Sequence, residues 1–599
     1  MIEEDAVITP PFGRTKAARR RKRRLHTKSL VLIAALACVL LMVGRATAQF
    51  VNRLSCEGQR IDINVAVSPD MVTPVQQIAQ IFNDQNHQAD GHCVAVQINQ
   101  ADPAQAAAQI DGQQPNATGQ SITAWIPDST LWVDEVRGFE PGSQNVSPAG
   151  FSVARSPLMI VMPAAAAART PALTKLGWKL LLPRSIGGPT GPSGLRVDLP
   201  DPAQSAAGLA TLIEESRLLG STKAARVEFT KFAHTASVTS YFDDPTSLSA
   251  FSSLAAPPFD GDPVTVTTEQ AVTAYDAANP RHPLAAVYPS GSRSQLGSPE
   301  LDYPYVLLAS SDQAQLGAAN AFGQMLKTSY AQSVLRFAGF RSAGTIPGRP
   351  DKFPASYGLD DQMLQVAPNA TSLEAPTVLQ AWNKLSVYSK DLVEVDVSSN
   401  MAKSSAPGEP SYETELSGAA SLGLALFANT SNLGVWEFGG GVGGKSLYKN
   451  LESIGPLTAN VGLLTRRDQL ERIAAHFTPT SSSRSAFYGT IQAGYKELMR
   501  TYQPRYFNAL VVLGSGIENA PGDISGPDLL KELTKLNNPA RKITMIVVIF
   551  GNPPNFPEIQ KIAQATGGQA YQITKASQVD EVFYQALAHR LCDPSCAAP

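Results

Sequence analysis

Short apolar strands alternate with amphipathic helices from about residue 61 onward, and no other feature narrows the possible folds as much. Ile61–Val67 (IDINVAV) is a strand-like run that stops at Ser68-Pro69. Met71–Asn83 then places Val75, Ile78, Ile81 and Phe82 on one face of a helix. Cys93–Ile98 (CVAVQI) reads as a second strand and Ala104–Ile110 as a second helix. Ile122–Ile126, Leu158–Val161, Leu195–Asp198 and Leu284–Tyr288 are further short apolar runs beside helical patterns. Strands that alternate with helices predict an α/β chain built on parallel sheets.

Upstream of this body, Ser29–Gly44 (SLVLIAALACVLLMVG) is uncharged, and Arg19–Arg24 is a block of six consecutive basic residues. A cationic flank before an apolar run holds the N-terminus in the cytoplasm. Two outcomes stay open. With Arg45 snorkelling, Ala46–Val51 would extend the run into a membrane anchor. Alternatively Ala46-Thr47-Ala48 is an A-x-A site, and cleavage after Ala48 would release the body. Either way residues 1–28 form a basic cytoplasmic tail, 29–45 a transmembrane or signal segment, and the body lies outside the cytoplasm. Residues 1–28 carry nine Lys/Arg and three Asp/Glu, which leaves 40 basic and 48 acidic residues for the rest. That acidic body argues against a nucleic-acid partner. Outside the apolar run the cysteines form two local pairs, Cys56 with Cys93 and Cys592 with Cys596. An even count in an oxidising compartment predicts two disulfides, the second clipping the tail 592–599.

The order of pieces from Ile61 to Pro347 resembles the two-lobed extracellular solute-binding proteins, and within them the molybdate or sulfate binders. The resemblance rests on Ala66-Val67-Ser68-Pro69 after the first strand and Ala124-Trp125-Ile126-Pro127-Asp128 after the third. Arg155-Ser156-Pro157-Leu158-Met159-Ile160-Val161 stands at a crossover, and Val197–Pro202 with Gly208, Val287-Tyr288-Pro289 and Leu301–Tyr305 complete it. It implies a domain over 58–347 with a ligand cleft between lobes, where hydroxyls and helix N-termini suit an anion. Ser68 is the best-matched contact, with plain N-capping as its alternative. Trp125, Arg155 and Tyr288 are further cleft candidates; their alternatives are core, surface ion pair and strand. The second hydroxyl implied by the resemblance is missing from Asn99-Gln100-Ala101-Asp102, where Asp102 adds an acid instead.

Ala343–Ala375 is rich in Pro, Gly, Ser and Ala and reads as connecting chain, so 348–376 is taken as a linker. Thr377–Leu385 reads as a short helix. Leu392-Val393-Glu394-Val395-Asp396-Val397-Ser398-Ser399-Asn400-Met401 then runs a strand into a hydroxyl-rich turn. That run resembles the metal motif of von Willebrand factor type A (VWA) domains. Leu433–Phe438, Arg484–Tyr488, Leu510–Gly516, Ile543–Gly551 and Ile562–Tyr571 follow in that family's order. The resemblance implies a doubly wound, Rossmann-like VWA domain over 377–591. It also implies a Mg²⁺ site on hard oxygen donors: Asp396, Ser398, Asn400 and Ser485. Ser515 stands where the family has an aspartate, which leaves Asp396 as the one formal charge.

Gly439–Ser446 (GGGVGGKS) fits the G-x-x-x-x-G-K-S pattern of a phosphate loop, but Leu447–Ile454 is too short before Gly455-Pro456 for the helix such a loop opens. There is no G-x-S-x-G elbow, and His26, His87, His92, His234, His282, His476 and His589 sit in no recognisable catalytic motif. The expectation is a non-enzymatic extracytoplasmic binding or adhesion protein that recognises a ligand or envelope partner. A solute receptor of a transport system is the alternative, and a hydrolase or ATPase a remote one.

Overall fold

The computed structural model describes residues 60–592 apart from 90, 113–120, 139–141, 148–149, 170–175, 185–187, 190–193, 240–261, 290–297, 310–311, 344–365, 372, 387 and 428–429. The basic tail, the apolar segment 29–45, Cys56 and Cys596 lie outside them. Among the described residues no helix is long and apolar enough to cross a membrane. Cys93 and Cys592 are disulfide-bonded; the expected partners lie outside the described residues.

The first sheet grows from the alternation read above. Strand β1 (Arg60–Val67) pairs in parallel with β2 (His92–Gln100) and β3 (Ala124–Ile126). Helix α1 (Val72–Asp84) crosses between β1 and β2 and buries Val75, Ile78, Ala79 and Phe82. Helix α2 (Pro103–Ile110) follows β2, and Asp102 is its N-cap, with a carboxylate accepting from the Gln105 N–H at 3.0 Å. That capping role accounts for the acid where the resemblance implied a hydroxyl.

Strand β4 (Ala154–Pro163) carries the chain to the second lobe. Its first residues pair with two short strands, Arg341–Ser342 and Glu300–Leu301. Its second half joins a sheet with β5 (Leu195–Pro200), β6 (Asp262–Thr268) and β7 (Leu284–Val287). Helices α3 (Ala206–Leu219), α4 (Lys223–Thr235) and α5 (Glu269–Ala278) belong to this lobe. Strand β8 (Pro304–Leu307) returns to the first sheet, antiparallel to β3.

Helix α6 (Glu374–Ser386) shares the apolar core of these lobes through Val378, Ala381, Trp382 and Leu385. Arg217 fastens its start, with Nε donating to Glu374 Oε1 at 2.8 Å and Nη1 to the Pro368 carbonyl at 2.9 Å. Part of the Pro/Gly-rich connection therefore lies pinned against α3.

The C-terminal unit is built on a six-stranded sheet. In chain order its strands are β9 (Ser389–Asp396), β10 (Asn432–Phe438), β11 (Tyr448–Pro456), β12 (Phe507–Gly514), β13 (Ile543–Phe550) and β14 (Gln569–Ile573). Their spatial order is β11-β10-β9-β12-β13-β14, parallel except for β11. One face packs on α7 (Tyr412–Leu426), α8 (Arg466–Ala474) and α12 (Val579–Ala588); the other packs on α9 (Phe487–Arg500), α10 (Gly526–Leu536) and α11 (Phe556–Gln564). Helices on both faces of a parallel sheet make it doubly wound. The glycine-rich Gly439–Ser446 loop leads from β10 into antiparallel β11. It opens no helix, so no helix N-terminus stands behind it to receive a phosphate.

Candidate functional site

In the first lobe the chain turns at the end of β1. The Ser68 N–H donates to the Ile126 carbonyl at 2.9 Å, fixing the turn to β3. Ser68 is buried, and its hydroxyl does not cap the following helix. It donates instead to Asp70 Oδ1, while the Tyr303 hydroxyl donates to Asp70 Oδ2. The Met71 N–H donates to the Ser68 carbonyl at 3.0 Å. Burial raises the Asp70 carboxyl above its ordinary range against the pull of those hydroxyls. The Ser68 hydroxyl that would hold a bound anion is thus engaged by the protein's own carboxylate.

Tyr303 reaches Asp70 from a distant loop, at φ 39°, a left-handed conformation uncommon for a bulky side chain. Its N–H donates to the Asp128 carbonyl at 3.1 Å, and its ring packs edge-on against Phe340 with centroids 5.1 Å apart.

A second cluster forms where β4 enters the crossover. Arg155 and Arg341 stand opposite each other on paired strands. Arg155 Nη1 donates to Glu300 Oε2 at 3.2 Å. Arg341 clamps Glu269, with Nε to Oε1 at 2.8 Å and Nη2 to Oε2 at 2.6 Å. The Tyr288 hydroxyl donates to Glu269 Oε2 and accepts from Arg341 Nη2 at 3.1 Å. Glu269 is fully buried as the first residue of α5, which Thr268 caps through the Ala271 N–H at 3.1 Å. A carboxylate in a first helical turn is favoured by the helix dipole. Burial raises the Glu300 carboxyl and the Tyr288 phenol. Arg155 and Tyr288 belong to the same cluster through different carboxylates, Glu300 and Glu269. Its two guanidinium groups face two carboxylates, so formal charge is balanced.

Trp125 is fully buried at the centre of the first sheet, opposite Ala66 and Val306. It packs in the core, with its indole N–H buried and without a hydrogen-bond partner. Sequence reading missed Asp70, Tyr303, Glu269, Glu300 and Arg341. For Asp70 a signal existed: an acid two residues after the candidate serine. For the others none did, since their partners lie tens to hundreds of residues away.

At the top of the C-terminal sheet Asp396, Ser398 and Asn400 are linked by hydrogen bonds. Asp396 is fully buried. Its Oδ1 accepts from the Ser398 N–H at 2.9 Å, and its Oδ2 accepts from the Ser515 N–H at 3.1 Å and hydroxyl at 2.6 Å. Asn400 Nδ2 donates to Ser398 Oγ at 3.3 Å and to the Ser483 carbonyl at 3.2 Å. Lys403 Nζ donates to Asn400 Oδ1 at 2.9 Å. Ser485 Oγ is buried without a hydrogen-bond partner, and its N–H donates to Asn519 Oδ1 at 2.7 Å. Glu518 turns away to accept from the Tyr488 and Ala520 N–H groups. A single carboxylate already takes three donors, and an ammonium holds the oxygen of the third ligand position. Among the described residues no group of three or more His, Cys, Asp or Glu side chains is placed to hold a metal.

Residues 63–341 match the family model described as bacterial extracellular solute-binding protein. An uncharacterized protein of Mycobacterium tuberculosis (strain H37Rv) is 23% identical over 586 residues, covering 92% of this chain and 81% of the relative. Among solved structures, iron-bound HitA from Pseudomonas aeruginosa covers 55% of this chain and 100% of its own at 11% identity and TM-score 0.38. The sulfate-binding protein SubI from M. tuberculosis H37Rv covers 48% and 88% at 18% identity and TM-score 0.32. A von Willebrand factor type A protein from Catenulispora acidiphila covers 34% and 43% at 13% identity and TM-score 0.26. Likenesses this distant carry no argument about ligands. An extracellular family suggests an extracytoplasmic location for the body. Residues 63–341 are thus similar to the bacterial extracellular solute-binding proteins, and a doubly wound parallel-sheet unit follows them.

Proposed function

We propose that this protein is a non-enzymatic extracytoplasmic binding protein, brought to the envelope by its N-terminal apolar segment. In this reading the solute-binding domain no longer serves as an oxyanion receptor, and the VWA-like unit acts as a recognition module without a metal. The observation that carries it is Asp70: a carboxylate that takes the Ser68 and Tyr303 hydroxyls occupies the donors an incoming anion would use and repels it. Glu269, clamped by Arg341 and Tyr288, supports the same reading at the crossover. The targets that suit such a site are neutral or cationic, or a protein surface.

The test is a thermal melt of the full-length chain with millimolar sulfate or molybdate. A ligand that binds only the folded state raises the melting temperature. No shift with either anion is expected, and a saturable rise would overturn the reading. A transport receptor is the second reading, favoured by the match over residues 63–341. Native mass spectrometry after gentle purification separates the two, because a polar small molecule retained by the solute-binding domain would favour transport.

A further inference from the structure

The two faces of the C-terminal sheet are filled unequally. On β9 and β12, Leu392, Leu510 and Val512 point toward α9 and its neighbours and are fully buried. Val393 and Val511 stand opposite each other in register at the middle of the same strands, pointing to the other face. Both remain only partly buried. A central strand keeps accessible surface only if the layer above it leaves a void, since interiors otherwise pack like crystals.

That void is a cavity of about 410 Å³ between the sheet and the α7, α8 and α12 layer. It falls within the roughly 300–1,000 Å³ of small-molecule sites. The facing helices line it with Ala420, Gly423, Ala474 and Ala586, side chains too short to fill it. It follows β9 from Ser389 to Val395, about 20 Å at the usual rise of ~3.3 Å per strand residue. Most of its wall is Val, Leu, Ile and Phe.

One end is polar. Arg590, Asp391, Ser389 and His234 line it, and His234 comes from α4 of the solute-binding domain. Arg590 is buried; its Nη2 donates to Ser389 Oγ at 3.2 Å, while its Nε has no partner. His234 Nε2 is buried and also without a partner. Ser389 Oγ donates to Asp391, whose carboxyl burial pushes up to about 7. Asp391 therefore only partly offsets Arg590 near neutral pH. Unmet donor capacity beside a guanidinium, at the end of an elongated apolar cavity, suits an anionic head on a hydrocarbon tail.

We propose that this cavity binds a single-chain amphiphile, its alkyl chain along the Val393–Val511 face and its carboxylate head at Arg590 and His234. Because α4 supplies His234, the bound molecule would lie where the solute-binding domain meets the C-terminal unit. Lys231 of the same helix ties that seam, with Nζ donating to Glu581 Oε2 on α12 at 2.6 Å.

The test uses the full-length chain, exchanged from detergent into an amphipathic polymer, and a diazirine-bearing palmitic acid. Photolabelling is expected on peptides containing Val393, Val511 and Ala420, with competition by palmitic acid. Val511→Phe and Ala420→Leu, which occupy the void, should abolish it while circular dichroism stays unchanged. Arg590→Gln and His234→Phe should each weaken competition by palmitic acid about tenfold, the loss of one charge-assisted contact, and leave competition by hexadecanol unaltered. Labelling that is absent, uncompeted or insensitive to the filling variants would overturn the site. Equal competition by acid and alcohol in the wild type would overturn the head-group assignment. Neither result bears on sulfate or molybdate binding, so this proposal and the reading of the cleft fail separately.

Discussion

Glu394 offers the sharpest quantitative test of the C-terminal unit. It lies in the middle of β9, fully buried, and neither carboxylate oxygen has a hydrogen-bond partner. It faces α9 where Gly494 makes room: a Cβ at that glycine would meet Glu394 Oε1 at 2.1 Å. Burial holds its carboxyl well above the ordinary range. The folded state then keeps a proton that the unfolded chain releases near pH 4.5. Above that pH the unfolded state gains by ionising and the folded state does not. Stability therefore falls as pH rises, by about 1.4 kcal/mol per unit, until the folded-state value is reached. Glu394→Gln keeps the shape and removes the titration. It should match the wild type near pH 4.5 and exceed it progressively above, by about 1.4 kcal/mol per unit at first. Urea unfolding of both chains at half-unit pH steps, followed by far-ultraviolet circular dichroism, measures the difference. A difference that is flat in pH, or a variant less stable at pH 7, would refute the account of Glu394 as a buried, protonated and unpartnered acid.

Other expectations follow from the same geometry. Asp396→Ala leaves the Ser398 and Ser515 donors without their acceptor and should cost about 1–3 kcal/mol, equally in Mg²⁺ and in EDTA; a Mg²⁺-dependent melting temperature in the wild type would contradict this. Trp382→Ala removes a large side chain of α6 from the core it shares with the lobes, and a loss of about 3–5 kcal/mol is expected in denaturant unfolding. Glu215 on α3 is also fully buried with both oxygens unpartnered and its carboxyl pushed well up. Glu215→Gln should therefore gain on the wild type as pH rises, by the same measurement. Non-reducing peptide mapping should recover Cys56 linked to Cys93 and Cys592 linked to Cys596, and any other pairing would refute the local arrangement.

The sequence by itself determined the class of fold. Val75, Ile78 and Phe82 mark the buried face of α1, and the run at Ile543–Phe550 is buried along its whole length as a strand deep in a sheet should be. Such patterns are legible because a helix or strand states its own period within one segment. The turn that joins Asp396, Ser398 and Asn400 was likewise legible from the order of motifs. What those residues do there was not. Ser515 lies 119 residues from Asp396, and only the fold shows its hydroxyl on that carboxylate, with Lys403 on Asn400. The same holds for Arg341 on Glu269, 72 residues apart, and for Tyr303 on Asp70, 233 apart. Hydrogen bonds and ion pairs over such distances depend on how whole elements dock, which no local period encodes. The cavity is the extreme case. Val393 and Val511 read as ordinary core residues, and only the short side chains packed opposite them decide that the space stays open.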